Sequence, residues 1–136
     1  MNSASPNVKR RKNKMAKKII WRSESYKTWA RRLVHMSPTK FLSLCTKPPQ
    51  WSQSSIKGIQ NRIKQGKAVE TPYLDVNIKT GEVTGHEGRH RAIVARRMGI
   101  KKIPVHVYFK EYKKGQYWGT FVTAKGKRLP RLKRER

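Results

Sequence analysis

Positive charge sets the first limit on what this chain can fold into. Its 136 residues hold 34 Lys+Arg against 7 Asp+Glu, a formal net charge of +27. Like charges at that density repel one another and oppose a compact state. Only 35% of the residues are apolar, so the core that must offset this repulsion is small, and the length allows one domain. Solubility does not require such a surplus, because a net charge of about 2–8 suffices for a small domain. The surplus points to a polyanionic partner, nucleic acid and DNA first, held with strong salt dependence. No basic helix with a broad apolar face marks a membrane surface. No apolar run approaches the ~20 residues of a spanning helix, and the start lacks the apolar stretch of a secretory signal. The single cysteine, Cys45, can form neither an internal disulfide nor a cysteine-built zinc site. A reducing, cytoplasmic setting is expected.

The basic residues are uneven along the chain. Residues 1–18 hold seven and no acid, and read as a disordered basic arm. Met15 would also serve as a translation start. Residues 125–136 hold seven more beside Glu135, and read as a basic C-terminal tail. Residues 19–124 remain as the domain. They contain 20 basic and 6 acidic residues, still +14.

Within the domain the expected class is α+β, a small mixed sheet with packed helices. Ser23 starts a first expected helix, in which Tyr26, Trp29, Ala30, Leu33 and Val34 recur at spacings of three and four. Ser37-Pro38 starts a second, with Phe41, Leu42, Leu44 and Cys45 as its apolar content; Lys47-Pro48-Pro49 ends it. Ser54 or Ser55 caps a third, striped by Ile56, Ile59 and Ile63 and stopped at Gly66. Residues 72–78 alternate as a strand, 79–82 turn, and Val83-Thr84 return. Residues 85–88 read as a loop and 89–98 as a helix ended by Gly99. Residues 103–109 form a strand, and 117–123 return as its hairpin partner.

The chemistry concentrates in Thr84-Gly85-His86-Glu87-Gly88-Arg89-His90-Arg91-Ala92. Two glycines let a backbone approach a ligand closely. They precede a helix start, where free amide protons and the helix dipole favour an anion. Arg89 and Arg91 add forked donors that fit phosphate oxygens. Gly85, His86, Gly88, Arg89 and Arg91 are therefore the candidate phosphate or nucleotide cradle. Glu87 and His90 are the candidate catalytic pair, the carboxylate to orient a water or a metal and the imidazole to move protons. Asp75, the sole aspartate, could join Glu87 or Glu82 around a metal. The letters at 86–90 also spell His-Glu-x-x-His, the zinc-peptidase pattern, which requires both histidines on one helical face. The bracketing glycines and the missing apolar stripe oppose it, and no zinc is expected.

Residues 55–109 resemble the ParB/sulfiredoxin-like fold of ParB partition proteins and ParB-like nucleases. In that family a helix, a glycine and a strand precede a Gly-Glu-Arg-Arg box, followed by a helix, a glycine and an Ile-Pro-Val strand. Here Ile56–Gly66 supply the helix and glycine. Gly88 falls on the box glycine, Arg91 on its second arginine, and His90 replaces its first. Ala95, Gly99 and Ile103-Pro104-Val105 follow at the usual distance. His90-Arg91 after Gly88 also resembles the Gly-Cys-His-Arg box of sulfiredoxin, with Arg89 in place of the cysteine, which excludes the reductase chemistry. The resemblance implies a phosphate-binding domain, a nucleotide such as CTP or ATP as a possible ligand, and Mg²⁺-dependent nuclease or nucleotide hydrolysis as a possible activity. The companion helix-turn-helix domain of partition proteins is not evident. By fold-level analogy the chain suggests a mobile element or a virus.

The remaining nucleic-acid contacts are expected from Lys9, Arg10, Arg11 and Lys12 in the arm, and from Arg31, Arg32, Arg96 and Arg97 on helices. Lys113, Lys114, Arg128 and Arg131 complete the set, with Trp118 as the base-stacking candidate. Trp29 fits a core position in its helix, His35 a helix end and Cys45 a buried apolar site. A non-catalytic DNA-coating protein is the alternative to a hydrolase.

Overall fold

The computed structural model describes residues 18–46 and 52–135. The arm residues Lys9, Arg10, Arg11 and Lys12, with Met15, Lys47-Pro48-Pro49 and Trp51, lie outside the described residues. The described chain is a small α+β domain. Its elements run β1 (Trp21–Arg22), a 3-10 turn (Thr28–Ala30), β2 (Arg31–Met36), α1 (Pro38–Leu44), α2 (Gln53–Lys64), β3 (Val69–Glu70), β4 (Tyr73–Asn77), β5 (Val83–Glu87), α3 (Arg89–Arg97), β6 (Ile103–Tyr112) and β7 (Gly119–Phe121). A five-stranded sheet has the order β2-β6-β4-β5, with β7 also paired to β6. β4 and β6 run parallel and the other pairs antiparallel; β1 and β3 form a separate parallel pair.

Strand β6 organises the core. Ile103, Val105, Val107 and Phe109 alternate on one face and are fully buried. The period of two puts their register partners Leu74, Val76 and Val34 on that same face. Phe41 and Leu44 of α1, with Ala92 and Ala95 of α3, close over them. The alanines matter here, since small side chains let α3 lie close to the sheet. Ile93 and Val94 on the outer side of α3 pack against Ile56 of α2 in a second cluster. All three helices therefore cover one face of the sheet. Cys45 is buried beside them with its thiol directed at the Phe41 carbonyl, 3.2 Å away, and burial pushes that thiol up to about 12.

The first expected helix is instead a strand. Lys27 takes a left-handed conformation (φ 50°), and Arg31–Met36 then pair residue for residue with β6. Tyr26, Trp29 and Leu33, the supposed buried stripe, are more than half exposed, at 58%, 54% and 53%. Cross-strand pairing overrode the three-four spacing, so Trp29 is not a core residue and His35 sits on an exposed strand position rather than a helix end. Three smaller differences follow. Ser52 rather than Ser54 or Ser55 caps α2, accepting from the Ser55 amide. The expected loop 85–88 is strand as far as Glu87. Residues 125–135 are laid down on the domain instead of forming a loose tail. Leu129 and Leu132 pack on the core, the Lys133 amide donates to the Gly81 carbonyl at 2.8 Å, and Val83 donates back to Lys133 at 3.0 Å.

Candidate nucleic-acid interface

Gly88 makes the turn from β5 into α3. Its φ of 115° is a conformation that side chains oppose, and a Cβ there would come within 2.6 Å of the Pro72 side chain. Gly88, the N-cap of α3, has no side chain with which to cap the first turn. That turn opens onto a cleft of about 410 Å³ between α3 and α2. Glu87, Gly88, Arg89, His90 and Arg91 form one wall. Ser55, Gly58, Ile59 and Arg62 form the other, spaced as one face of a helix must be.

Each wall residue has a definite anchor. Arg91 donates from Nη1 to the Glu70 carbonyl (3.1 Å) and from Nη2 to Glu87 Oε1 (3.4 Å). It thereby ties α3 to β3 and fixes the direction of the Glu87 carboxylate. Arg89 reaches the Thr46 carbonyl at 3.5 Å. Arg62 clamps the Ala68 carbonyl from both Nε (3.2 Å) and Nη2 (2.7 Å). His90 Nε2 accepts the amide of Ser52, the cap of α2, at 3.2 Å, so this imidazole joins the starts of the two helices.

His86 is placed elsewhere. It shares the core-side face of β5 with its register partner Leu74. Its Nε2 lies 2.9 Å from Thr46 Oγ1 and 3.0 Å from Glu135 Oε2. Thr46 in turn donates to Glu135 through its hydroxyl (2.6 Å) and its amide (3.2 Å). This clasp fastens the C-terminal segment to the sheet rather than lining the cleft. His86 on a strand and His90 on a helix do not share a helical face, as the zinc-peptidase pattern requires. Gly85 faces Asp75 across the β4–β5 pair, and a Cβ there would sit 3.0 Å from Asp75 Oδ2.

The carboxylates do not fit a divalent-metal cage. Glu87 is the one carboxylate lining the cleft and is paired with Arg91. Asp75 is paired with Lys110 Nζ at 3.2 Å. Among the described residues no group of three His, Cys, Asp or Glu side chains is arranged to hold a metal.

The other expected contacts are dispersed. Arg31 and Arg32 point to opposite faces of β2. Arg32 bonds the Ala124 and Lys127 carbonyls, whereas Arg31 approaches the Tyr108 hydroxyl at 3.5 Å and bonds the Glu24 carbonyl. Arg96 and Arg97 are exposed in the last turn of α3, where they complement the helix dipole. Lys113, Lys114 and Trp118 stand exposed on the β6–β7 hairpin, and Arg128 and Arg131 on the C-terminal segment. Ser55, Gly58 and Arg62 join the site without being expected from the sequence, although their helical spacing, with a glycine inside the helix, is a usable signal. No local pattern links Thr46 and Glu135 with His86. No family model, curated protein or solved structure matches the chain. No helix among the described residues is long and apolar enough to cross a membrane.

Proposed function

We propose that this protein binds nucleic acid, DNA first, through the sugar–phosphate backbone, and that the α2–α3 cleft is its built phosphate contact. The observation that carries this reading is how the arginines are held. Arg31, Arg32, Arg62, Arg89 and Arg91 all donate to backbone carbonyl oxygens. A carbonyl orients a guanidinium without cancelling its charge, so each fork is fixed in place and still cationic. Of the five, only Arg91 also meets a carboxylate. Pre-oriented forks lose less entropy on gripping a phosphate than free ones.

Gly58 supports the same reading. A glycine inside a helix costs roughly 0.5–1 kcal/mol relative to alanine. Among the described residues nothing lies within 4 Å of the Cβ it lacks, so their packing gives no return for that cost. Backbone approach by a ligand in the cleft does. The ParB/sulfiredoxin-like assignment belongs to this proposal. It is supported by the order helix α2, strand β4, box glycine Gly88 and helix α3, with Arg91 on that helix. The proposal is one of binding, because Glu87, the carboxylate lining the cleft, is engaged by Arg91. The non-catalytic reading therefore takes precedence over the nuclease.

The test is the affinity for a short DNA duplex by fluorescence anisotropy across a salt series. The expected result is a steep linear fall of log K with log salt. Arg62→Ala and Arg89→Ala each weaken binding for all sequences alike and reduce the slope by about one. CTP and ATP, added as competitors, separate free nucleotide phosphates from backbone phosphates. A flat salt response, or unchanged affinity in both variants, would refute the proposal.

A further inference from the structure

The sheet face turned away from the helices has its own cavity. Residues Arg31, Leu33 and His35 of β2, His106, Tyr108 and Lys110 of β6, and Tyr73 and Asp75 of β4 share this face by register. Phe121 of β7 pairs with Lys110 and joins them. In place of a helix, residues from the segment before β2, Glu24 and Tyr26 among them, lie over it. Tyr108 Oη donates to the Tyr26 carbonyl at 3.0 Å. A cavity of about 220 Å³ is enclosed by Tyr26, Tyr73, Tyr108 and Phe121 together with Asp75 and Glu24; Lys110 also lines it. The four rings form a continuous edge-to-face chain. Their centroid separations are 5.7 Å for Tyr73–Tyr108, 5.8 Å for Tyr108–Phe121 and 6.0 Å for Tyr26–Phe121.

Three features decide the occupant. The volume is below the 300–1,000 Å³ typical of a drug-sized site, so it suits one planar ring system rather than a whole nucleotide. Its two carboxylates, Glu24 and the Lys110-paired Asp75, leave the cavity without a surplus of cations to draw a phosphate, and they accept hydrogen bonds from exocyclic amino groups of bases. Beside it lies a second cleft of about 420 Å³, lined by Trp29, Arg31, Arg32 and Lys125 among others, which is cationic and free of carboxylates. Arg31 connects the two, since its guanidinium approaches Tyr108 Oη. An aromatic, amino-accepting pocket next to a basic groove matches an unpaired base and its neighbouring phosphates.

We infer that this face binds single-stranded nucleic acid, taking one unpaired base against the Tyr26, Tyr108 and Phe121 rings while its backbone crosses Arg31 and Lys125. The inference rests on the nucleic-acid reading above and adds the substrate class. Asp75 selects bases that carry an amino group, so oligo-dC binds more tightly than oligo-dT. Lys110 holds Asp75 in its acceptor position, and Lys27, 5.4 Å from the Tyr26 ring centroid and 5.7 Å from that of Phe121, adds cationic character at the rim.

The experiment compares labelled oligo-dC, oligo-dT and a duplex of equal length on the full chain. Tyr26→Ala, Phe121→Leu and Asp75→Asn are the variants, each checked for an unchanged circular dichroism spectrum. Loss of one stacked base weakens the single strand by about 5- to 150-fold in Tyr26→Ala and leaves the duplex unaffected. Asp75→Asn abolishes the preference for oligo-dC. Because Tyr26 is exposed, its truncation leaves the core intact, and Phe121→Leu gives a second reading of the same wall. Salt-dependent duplex binding with single-strand binding untouched by Tyr26→Ala overturns the pocket while the backbone reading stands. Absence of all nucleic-acid binding overturns both. Ring resonances of Tyr26 and Phe121 that shift with tetramethylammonium and not with cytidine would make the cavity a cation cage and also overturn the inference.

Discussion

Gly88→Ala is the substitution whose cost can be worked out most fully. Two penalties combine at this position. At φ 115° an alanine is held in a sparsely populated conformation, at a cost of roughly 1–3 kcal/mol. Its Cβ would stand 2.6 Å from Pro72 Cβ and 3.0 Å from Pro72 Cα. Pro72 is itself fully buried and cannot retreat, so overpacking adds roughly 1–3 kcal/mol. The sum, about 2–6 kcal/mol, is a large share of the roughly 5–15 kcal/mol that holds a domain together. With a slope of about 2 kcal/mol per molar urea, the unfolding midpoint falls by about 1–3 M. Gly66→Ala is the control. Its φ of 71° is also left-handed, but among the described residues nothing lies within 4 Å of the new Cβ, so only the conformational cost of about 1–2 kcal/mol applies. Urea melts of the two variants beside the parent chain read the difference. Equal midpoints for both variants would show that Pro72 yields and that the β5–α3 turn is not built around this glycine.

Two further outcomes are expected. Leu132→Ala lowers stability by about 1–2 kcal/mol by removing a half-buried side chain from the core, measured by the urea midpoint; a loose tail would give no change. His106 is buried with neither ring nitrogen bonded, and burial first, then the Arg31 charge, lowers its pKa from 6.5. The unfolded chain therefore takes the proton more readily. This contribution is complete above pH 6.5 and is lost as pH falls from there toward the lowered value. The urea midpoint drops between pH 7.5 and pH 5, and drops less in His106→Leu; equal drops in both would refute the assignment.

The sequence made legible those elements whose signals are local. Ser37-Pro38 opens α1 with Ser37 accepting from the Lys40 amide at 3.0 Å, a cap written in adjacent residues. Gly66 and Gly99 both carry positive φ just past a helix, as a left-handed stop demands. The apolar alternation of 103–109 became the central strand. Failures came where distant partners decide. Arg31–Met36 is a strand because β6 offers it a continuous edge, and spacings within residues 26–34 carry no record of that edge. The C-terminal residues look like a basic tail because Leu129 and Leu132 are spaced among cations, and their burial depends on how β4 and β5 turn. At the candidate site the β5–α3 wall was readable from glycines and arginines. The opposite wall and the diversion of His86 to Glu135 were not, because both depend on packing between segments far apart in sequence.

The few acids explain how so cationic a chain can still fold. Glu70 pairs with Arg22, Asp75 with Lys110, Glu87 with Arg91 and Glu135 with His86. Three of these four pairs involve residues far apart in sequence, and together they join β1 to β3, β4 to β6, and the C-terminal segment to β5. Three of the carboxylates are thus used at seams of the fold, Glu70 and Asp75 against a cation that would otherwise push two segments apart and Glu135 in contact with the His86 ring. The arginines around the clefts are held by carbonyl oxygens instead, which aim the charge and leave it intact. Repulsion is relieved where it would open the structure and retained where a phosphate can relieve it. Salt therefore acts in opposite senses on the two states: the screening that steadies the empty domain also weakens its grip on a polyanion.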